Sequence, residues 1–273
     1  MNFCFTIFNE PSKAATQPLN LFMKSILTLT VGEFELVHDM LSLLIVAMGA
    51  SALFFLLSRK QVVERFQPLL LLAGIIASIG CYHAFRLFNS WNEAFELAGN
   101  SYAASGHFFH EVYRYGDWAL TMPLLLVELV LVLPVLKGQT AVLLKRLIAA
   151  ALVSILFSYL GASNIGEHGA LLLWSCWLLS LLPFLYIARI LVGELSHEAA
   201  QQGAAVDTFF VGARNLFLIS WAFYPLASLI ALCSHGFGEV GLVTFLVGAG
   251  IADLISKCGV SFYVYRIALA QAE

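Results

Sequence analysis

Seven long apolar segments determine what this chain can fold into. They fall at about 36–58, 67–90, 110–136, 140–162, 168–193, 207–233 and 239–268. Each is near or above the roughly 20 apolar residues that a helix needs to cross a bilayer. Only 11% of the 273 residues are charged, against about 25% in soluble domains. The sequence therefore predicts an all-α membrane protein, a bundle of seven transmembrane helices.

The basic residues of the connecting loops predict the orientation of the bundle. Arg59, Lys60 and Arg65 lie in the first loop, and further basic residues lie in the third loop and its flank, at 137–146. The second, fourth and sixth loops contain almost no lysine or arginine. Because cytoplasmic loops are rich in these residues, the N-terminus should lie outside the cell and the C-terminus in the cytoplasm.

The pattern divides the chain into an N-terminal tail at 1–33, expected to be disordered or to lie on the surface, and a helical domain at 34–270. The tail has no clear basic stretch of the kind that begins a signal peptide, and the true start could be Met1 or Met23. A formal net charge of −3 without a basic stripe argues against a nucleic-acid partner. The five cysteines indicate small buried side chains and neither a disulfide framework nor a metal site, because their number is odd and most lie in or beside apolar segments.

Two full charges interrupt the seventh segment. Asp253 and Lys257 are four residues apart, so they share one face of a helix. Ionisable residues inside a membrane are costly and by default mark a functional site. Two interpretations remain open from these residues alone. One is an ion pair that fixes helix packing, and the other is a lysine that forms a Schiff base with an aldehyde.

The third segment carries four polar residues along one stripe. Arg114, Asp117, Thr121 and Glu128 follow at steps of three, four and seven residues. At about 1.5 Å per residue, Asp117 and Glu128 are separated by roughly 16 Å, about half the hydrocarbon thickness. Glu128 has apolar neighbours on both sides, so we expect it to hold a proton at rest, because a charged carboxylate is costly there. Two carboxyl groups in different surroundings along one line suggest a proton relay.

Aromatic residues in the sixth segment suggest a ligand site. Trp221 and Tyr224 lie about one turn apart and precede Pro225, which kinks a helix. With Trp118 and Trp177 they could enclose a flat, apolar ligand. An aromatic stripe in a membrane helix is more often a packing surface, and it is the lysine of the seventh segment that favours a ligand.

Three stretches of the sequence resemble the microbial rhodopsins. "RYGDWALTMPLLLVEL" is similar to their third helix, "SWAFYP" to their sixth and "DLISK" to their seventh, and the resemblance extends over 34–270. It implies that Lys257 carries all-trans retinal as a protonated Schiff base, with Asp253 as a second counter-ion. It also implies that Asp117 is the primary counter-ion and proton acceptor, Glu128 the internal proton donor and Arg114 the gate of proton release.

The resemblance also separates the chain from other ion pumps. Asp117, Thr121 and Glu128 correspond to the triplet of proteorhodopsin-like outward proton pumps, whereas chloride pumps lack the acceptor Asp and sodium pumps carry Asn, Asp and Gln. "YHAFRLFNSW" is similar to the xanthorhodopsin and proteorhodopsin branch, in which a second-helix histidine, here His83, hydrogen-bonds the acceptor. A core histidine without that role is the alternative. Leu125 stands where Leu accompanies green absorption and Gln blue absorption.

The retinal pocket implied by the resemblance has one unusual member. It comprises Trp118, Leu125, Trp177, Ser180, Phe184, Trp221, Tyr224 and Pro225. Xanthorhodopsin-like pumps that bind a carotenoid antenna have a small Gly in the fifth helix, which opens a window onto the retinal ring. Alignment through "LLPFLY" places Trp177 there. A tryptophan should close this window, so we expect no carotenoid antenna.

These residues predict a light-driven outward proton pump, a multi-pass protein of the cell (plasma or inner) membrane whose partners are the lipid bilayer and protons. The resemblance implies a homo-oligomer, either a pentamer or a trimer. The alternatives are a photosensor that signals to a transducer and a retinal-free proton-coupled transporter, although a sensor needs no internal donor such as Glu128. We do not expect an enzyme, because an enzymatic rhodopsin would need an appended catalytic domain and the chain ends at Glu273. Glu111, Glu167 and Glu239 are unranked candidates for the proton-release group.

Overall fold

A computed structural model describes residues 28–133, 139–163, 169–234 and 238–271, most of which are helical. Two five-residue π-helical turns, Leu191–Leu195 and Ile255–Gly259, each join two α-helices into one span. Counted this way, the described residues form seven spans, at the positions that the apolar segments predict, and the seven-helix bundle is confirmed. The helices are α1 (Val31–Ser58), α2 (Gln67–Ala94), α3 (Val112–Leu131), α4 (Thr140–Ala162), α5 (Ala170–Ile190), α6 (Ser196–Gln201), α7 (Ala204–Ser234), α8 (Glu239–Leu254) and α9 (Val260–Ala270).

Among the described residues, six spans are long and apolar enough to cross a membrane by length and composition. The remaining span, α3, differs because its 20 residues include Arg114, Asp117 and Glu128. It packs against α2, α4, α7 and α9, so its charges face other helices. Many large apolar side chains elsewhere point outward, among them Val46 on α1 and Leu171 on α5, as expected of a surface that faces lipid.

A small antiparallel sheet lies at one end of the bundle, and the all-α prediction did not include it. Its strands are β1 (Thr28–Thr30), β2 (Phe95–Ala98) and β3 (Ser101–Ala104), in the order β1-β3-β2. β2 and β3 form a hairpin whose turn contains Gly99 with a φ of 68°, a conformation that glycine adopts without steric cost. We call this end of the bundle the sheet end and the opposite end the far end.

The start of α1 is fixed against the sheet and α2. Thr30 and Glu33 form a capping box, in which the Glu33 backbone N–H donates to Oγ1 of Thr30 (3.2 Å) and the Thr30 N–H donates to Oε2 of Glu33 (2.8 Å). The ring of Phe34 stacks on Tyr102 of β3 with centroids 3.7 Å apart, and Nε1 of Trp91 on α2 donates to the Phe34 carbonyl (3.2 Å). α1 therefore begins five residues before the predicted segment at 36–58. Positions 1–27 of the predicted tail lie outside the described residues.

Candidate functional site

Six ionisable side chains are buried in the described part of the chain, and they gather between the third and seventh spans. Charges in such a position are stable only when they are paired or hydrogen-bonded, or when a proton neutralises them. On and directly before α3 these are Glu111, Arg114, Asp117 and Glu128, and on the seventh span they are Asp253 and Lys257.

Lys257 lies at the centre of this group, in the π-helical turn that joins α8 to α9. Its Nζ is 2.6 Å from Oδ2 of Asp117 and 3.0 Å from Oδ1 of Asp253, and the side chain is 0% exposed. Both contacts are ion pairs by distance, although neither is aligned as a hydrogen bond. The lysine therefore joins the two spans chiefly through charge.

The two aspartates have different surroundings. Asp253 accepts hydrogen bonds from the Tyr224 hydroxyl (2.7 Å) and Nε1 of Trp118 (3.0 Å), and Nη1 of Arg114 lies 3.4 Å from its Oδ2. Asp117 has only the contact with Lys257 on Oδ2, and its Oδ1 is buried without a hydrogen-bond partner. Because fewer groups stabilise its negative charge, Asp117 is the better placed of the two to accept a proton.

Thr121 does not contact either carboxylate through its hydroxyl. Its Oγ1 donates to the backbone carbonyl of Asp117, 2.9 Å away and one turn earlier in α3. The residue is 0% exposed. Thr121 therefore stabilises the turn of α3 that carries Asp117, through this hydrogen bond and through packing.

Glu128 lies on α3 toward the far end of the bundle and is 0% exposed. Ser261 of α9 donates to its Oε2 at 2.8 Å, whereas its Oε1 is buried with no partner. One neutral hydroxyl does not compensate for a carboxylate charge in an apolar interior, so the arrangement suits a protonated Glu128.

A small cavity of about 40 Å³ adjoins the charged group. Trp118 and Tyr224 both line it and both donate to Asp253, which connects the cavity to Lys257. The Trp118 ring lies 4.1 Å from the Tyr224 ring and 6.0 Å from the Trp221 ring, centroid to centroid. Six of the predicted pocket residues line the cavity: Trp118, Ser180, Phe184, Trp221, Tyr224 and Pro225.

Sequence reasoning missed five residues that line this cavity. Three of them lie on α4, where isolated serines in an apolar sequence form no pattern that could have indicated a site. The missed residues are Met122, Ser154, Ile155, Ser158 and Ser228.

The two remaining predicted pocket residues lie elsewhere. Leu125 is 0% exposed on α3 but does not line the cavity. Trp177 is half-buried and lines a neighbouring groove of about 30 Å³, which shares Ser158, Ser180 and Ser228 with the cavity. Its Nε1 donates to the carbonyl of Pro225 at 2.9 Å, so the indole is tied to α7.

His83 is not hydrogen-bonded to Asp117 in this structure, contrary to the prediction. The imidazole is half-buried on α2, and its Nδ1 is buried without a partner, as is Oδ1 of Asp117. The ring lies beside α3, because a Cβ added at Gly116 would be 3.5 Å from Cε1 of His83. The structure therefore brings the histidine to the neighbourhood of the acceptor without joining the two.

Gly80 on α2 is a further residue of the site that the sequence did not reveal. A Cβ at this position would lie 2.5 Å from Sδ of Met48 and 3.0 Å from Cδ of Lys257. Both distances are shorter than ordinary van der Waals contact. The absence of a side chain at Gly80 therefore leaves the space through which Lys257 extends.

The model of the bacteriorhodopsin-like protein family matches residues 35–271, nearly the whole bundle. The chain belongs to this family of microbial (type 1) rhodopsins.

The green-light absorbing proteorhodopsin of Gamma-proteobacterium EBAC31A08 is 26% identical over 228 residues, which cover 83% of this rhodopsin and 84% of the relative. The solved structure of xanthorhodopsin, described as a light-driven ion pump with dual chromophore, is 36% identical with a TM-score of 0.83, covering 90% of this chain and 96% of that one. A thermophilic rhodopsin is 34% identical with a TM-score of 0.84, covering 91% and 98%.

These relatives indicate a family of light-driven ion pumps. Such proteins are multi-pass membrane transporters and not classical enzymes, and a rhodopsin implies a retinal chromophore. In this rhodopsin, the lysine, the two aspartates and the aromatic cavity occur together between the third, sixth and seventh spans.

Substitution Gly80→Ala should destabilise the protein by about 1–3 kcal/mol, because the added methyl group overpacks a fully enclosed site. Gly49→Ala is the matched control, since its Cβ would lie at an ordinary 3.6 Å from Sγ of Cys81. Thermal unfolding of both variants in the same detergent compares the two effects. A Gly80→Ala protein as stable as Gly49→Ala would contradict the packing argument.

Proposed function

We propose that this rhodopsin is a light-driven outward proton pump that carries all-trans retinal on Lys257. The observation on which the proposal rests is the position of Nζ between the carboxylates of Asp117 and Asp253, at 2.6 and 3.0 Å. The second support is Glu128, a separate buried carboxyl group on the same helix as Asp117 and roughly 16 Å further along it. An acceptor and a donor on opposite sides of one amine are what directed proton transfer requires.

The side chains near Lys257 suit a flat and apolar chromophore. Trp118, Trp221 and Tyr224 form aromatic walls of the cavity, and Nε1 of Trp221 is buried without a partner. Bound to Nζ, retinal would supply the absorption of visible light and an isomerisation that changes the environment of the lysine nitrogen. The protein supplies the shape, the exclusion of water and the counter-charges.

Outward transfer begins with the proton on Nζ of Lys257. Oδ2 of Asp117 lies 2.6 Å away and has no other partner, whereas Asp253 remains charged because Tyr224, Trp118 and Arg114 stabilise it. Transfer to Asp117 therefore neutralises one ion pair and leaves the pair between Asp253 and Arg114 in place. His83 lies beside this part of α3 without a hydrogen bond to Asp117.

Return of a proton to Nζ is assigned to Glu128. Its protonated carboxyl group lies on the far-end side of Lys257, and Ser261 orients it by a hydrogen bond of 2.8 Å. The direction of transport follows from separate acceptor and donor, because a single site open to both sides would only leak. Moving one charge outward against the membrane potential requires about 2.3 kcal/mol per 100 mV.

The outward direction needs the sheet end to face the exterior. The far-end connection between α1 and α2 carries Arg59, Lys60 and Arg65, which supports a cytoplasmic position for that end under the positive-inside rule. The proposal therefore includes an external N-terminus, a cytoplasmic C-terminus and the cell (plasma or inner) membrane. It also includes a homo-oligomer, a pentamer or a trimer, as in the family that the sequence resembles.

Illumination of an unbuffered suspension of cells that express the protein with retinal should acidify the medium, and a protonophore should abolish the change. Lys257→Ala, expressed in the same way, should have no visible absorption band and no light-driven pH change. A visible band in Lys257→Ala would refute the attachment site. A band in the wild type without any proton movement would favour the photosensor, and no band at all would favour the retinal-free transporter.

Substitution Glu128→Gln should leave the resting absorption nearly unchanged and slow the recovery of that absorption after a flash, on the order of 10²-fold, because the general acid is lost. Added azide should restore the rate by carrying protons. Glu64→Gln is the matched control, since Glu64 is an exposed carboxyl group at the far end. Recovery of Glu128→Gln at the wild-type rate would assign the donor role elsewhere.

No carotenoid antenna is proposed, because the bulky indole of Trp177 lines the groove beside the cavity and is tied to the carbonyl of Pro225. Added hydroxylated carotenoid should therefore transfer no excitation to the wild-type chromophore. Trp177→Gly should open the groove, whereas Trp177→Phe, which keeps a ring, should not. Carotenoid vibronic peaks in the wild-type excitation spectrum would disprove the closure.

A further inference from the structure

We infer that Glu111 is the group that releases the proton to the exterior. The inference rests on the proposed function and ranks three carboxyl groups that the sequence left equal. Glu111 is only 4% exposed although it directly precedes α3, and its Oε1 is buried without a hydrogen-bond partner. Glu239 is exposed at the start of α8, and Glu167 lies outside the described residues.

A count of the buried charges indicates that Glu111 holds a proton at rest. Lys257 and Arg114 are positive, and Asp117 and Asp253 balance them with two negative charges within 3.4 Å. No positive charge in this group is left for Glu111, and an unbalanced buried carboxylate is costly. Burial raises the pKa of Glu111, which lies outside α3, to about 7, although the positive charge of Arg114 opposes the rise.

Arg114 connects Glu111 to the ion pairs. It lies one helical turn beyond Glu111, and the Arg114 N–H donates to the Glu111 carbonyl at 2.9 Å. Its guanidinium uses Nη1 for Asp253, whereas Nε and Nη2 are buried without partners. The positive charge of this buried guanidinium, one helical turn from Glu111, favours a carboxylate that forms there.

The transfer from Lys257 to Asp117 changes the field at Glu111. Asp117 lies six residues from Glu111 on the same helix, roughly 9 Å along its axis, and it takes the proton from Nζ of Lys257, 2.6 Å away. The transfer removes the negative charge that Asp117 places on the helix of Glu111, which disfavours the proton on Glu111. Glu111 then loses that proton to water at the sheet end, and the positive charge of Arg114 stabilises its carboxylate. At the end of the cycle the proton on Asp117 refills Glu111, so that one proton leaves per turnover.

The aromatic neighbours of Glu111 restrict other routes. Tyr115 follows it by four residues on α3 and packs edge-on against Tyr159 of α4, with centroids 5.4 Å apart, and against Trp118, 5.1 Å apart. Tyr115 and Trp118 follow Glu111 along α3, and Trp118 lines the cavity, so aromatic rings lie between the level of Glu111 and that of the cavity. Glu111 is thus the group nearer the sheet end, the side to which release is proposed.

Flash experiments with a soluble pH dye test the inference. In the wild type the dye should record release soon after Asp117 is protonated and before any uptake. In Glu111→Gln this early release should be lost and should reappear only when Asp117 gives up its proton at the end of the cycle. Glu239→Gln, with its exposed carboxyl group at the same end, is the matched control and should release early. Early release in Glu111→Gln, or late release in the wild type, would overturn the assignment.

A second measurement uses only the wild-type protein, so it tests the inference even if Glu111→Gln fails to fold. In wild-type protein labelled with ¹³C-glutamate, the C=O band of a protonated glutamic acid should disappear in step with release, well before Glu128 loses its proton. Release without such a band change would also overturn the assignment. Failure of the wild type to move protons in continuous light would instead refute the proposed pump, so the two failures are distinct.

Discussion

The ion pairs around Lys257 are the interaction on which the rest of the structure depends. Two positive and two negative groups, Lys257 and Arg114 with Asp117 and Asp253, meet within 3.4 Å in a fully buried site. Two unit charges 4 Å apart interact by about 4 kcal/mol at an effective dielectric constant of 20, and removing one partner of a buried pair costs roughly 3–5 kcal/mol. The group is therefore stable only as a whole. Moving a proton inside it redistributes charge without changing the total, which makes an otherwise expensive site usable for transport.

The helices supply the surroundings that such a group needs. α3 carries most of the buried charge and is enclosed by α2, α4, α7 and α9, while the outer faces of the bundle present apolar side chains. Asp253 receives donors from α3 and α7, and Glu128 receives one from α9, so each carboxyl group is held by a helix other than its own. Apolar side chains can pack against lipid as well as against other helices, so hydrophobic contacts alone would specify the arrangement of the helices weakly. The buried charges fix that arrangement.

The sequence predicted what depends on one helix at a time. Apolar length located the seven spans, and a period of 3.6 residues placed Asp117 and Glu128 on one face and Asp253 beside Lys257. Contacts between helices could not be predicted in the same way, because the spacing of residues along one helix does not show which other helix those residues face. The hydroxyl of Ser261 and the empty position at Gly80 carry no recognisable pattern, and each matters only through side chains of other helices. The His83 contact with Asp117 came from resemblance alone, and the structure leaves the two unbonded.

The π-helical turn at Ile255–Gly259 divides the seventh span into two registers. A π turn closes its hydrogen bond over five residues where an α turn uses four, so the helix beyond it is rotated by about one residue, roughly 100°, relative to an uninterrupted helix. Asp253 precedes the turn and meets Arg114, whereas Ser261 follows it and meets Glu128. In a straight helix the direction of one of these side chains would dictate that of the other. With the extra residue, the two halves of the span present their side chains in different directions. Each half can therefore change to suit its own partner while the other half keeps its contact.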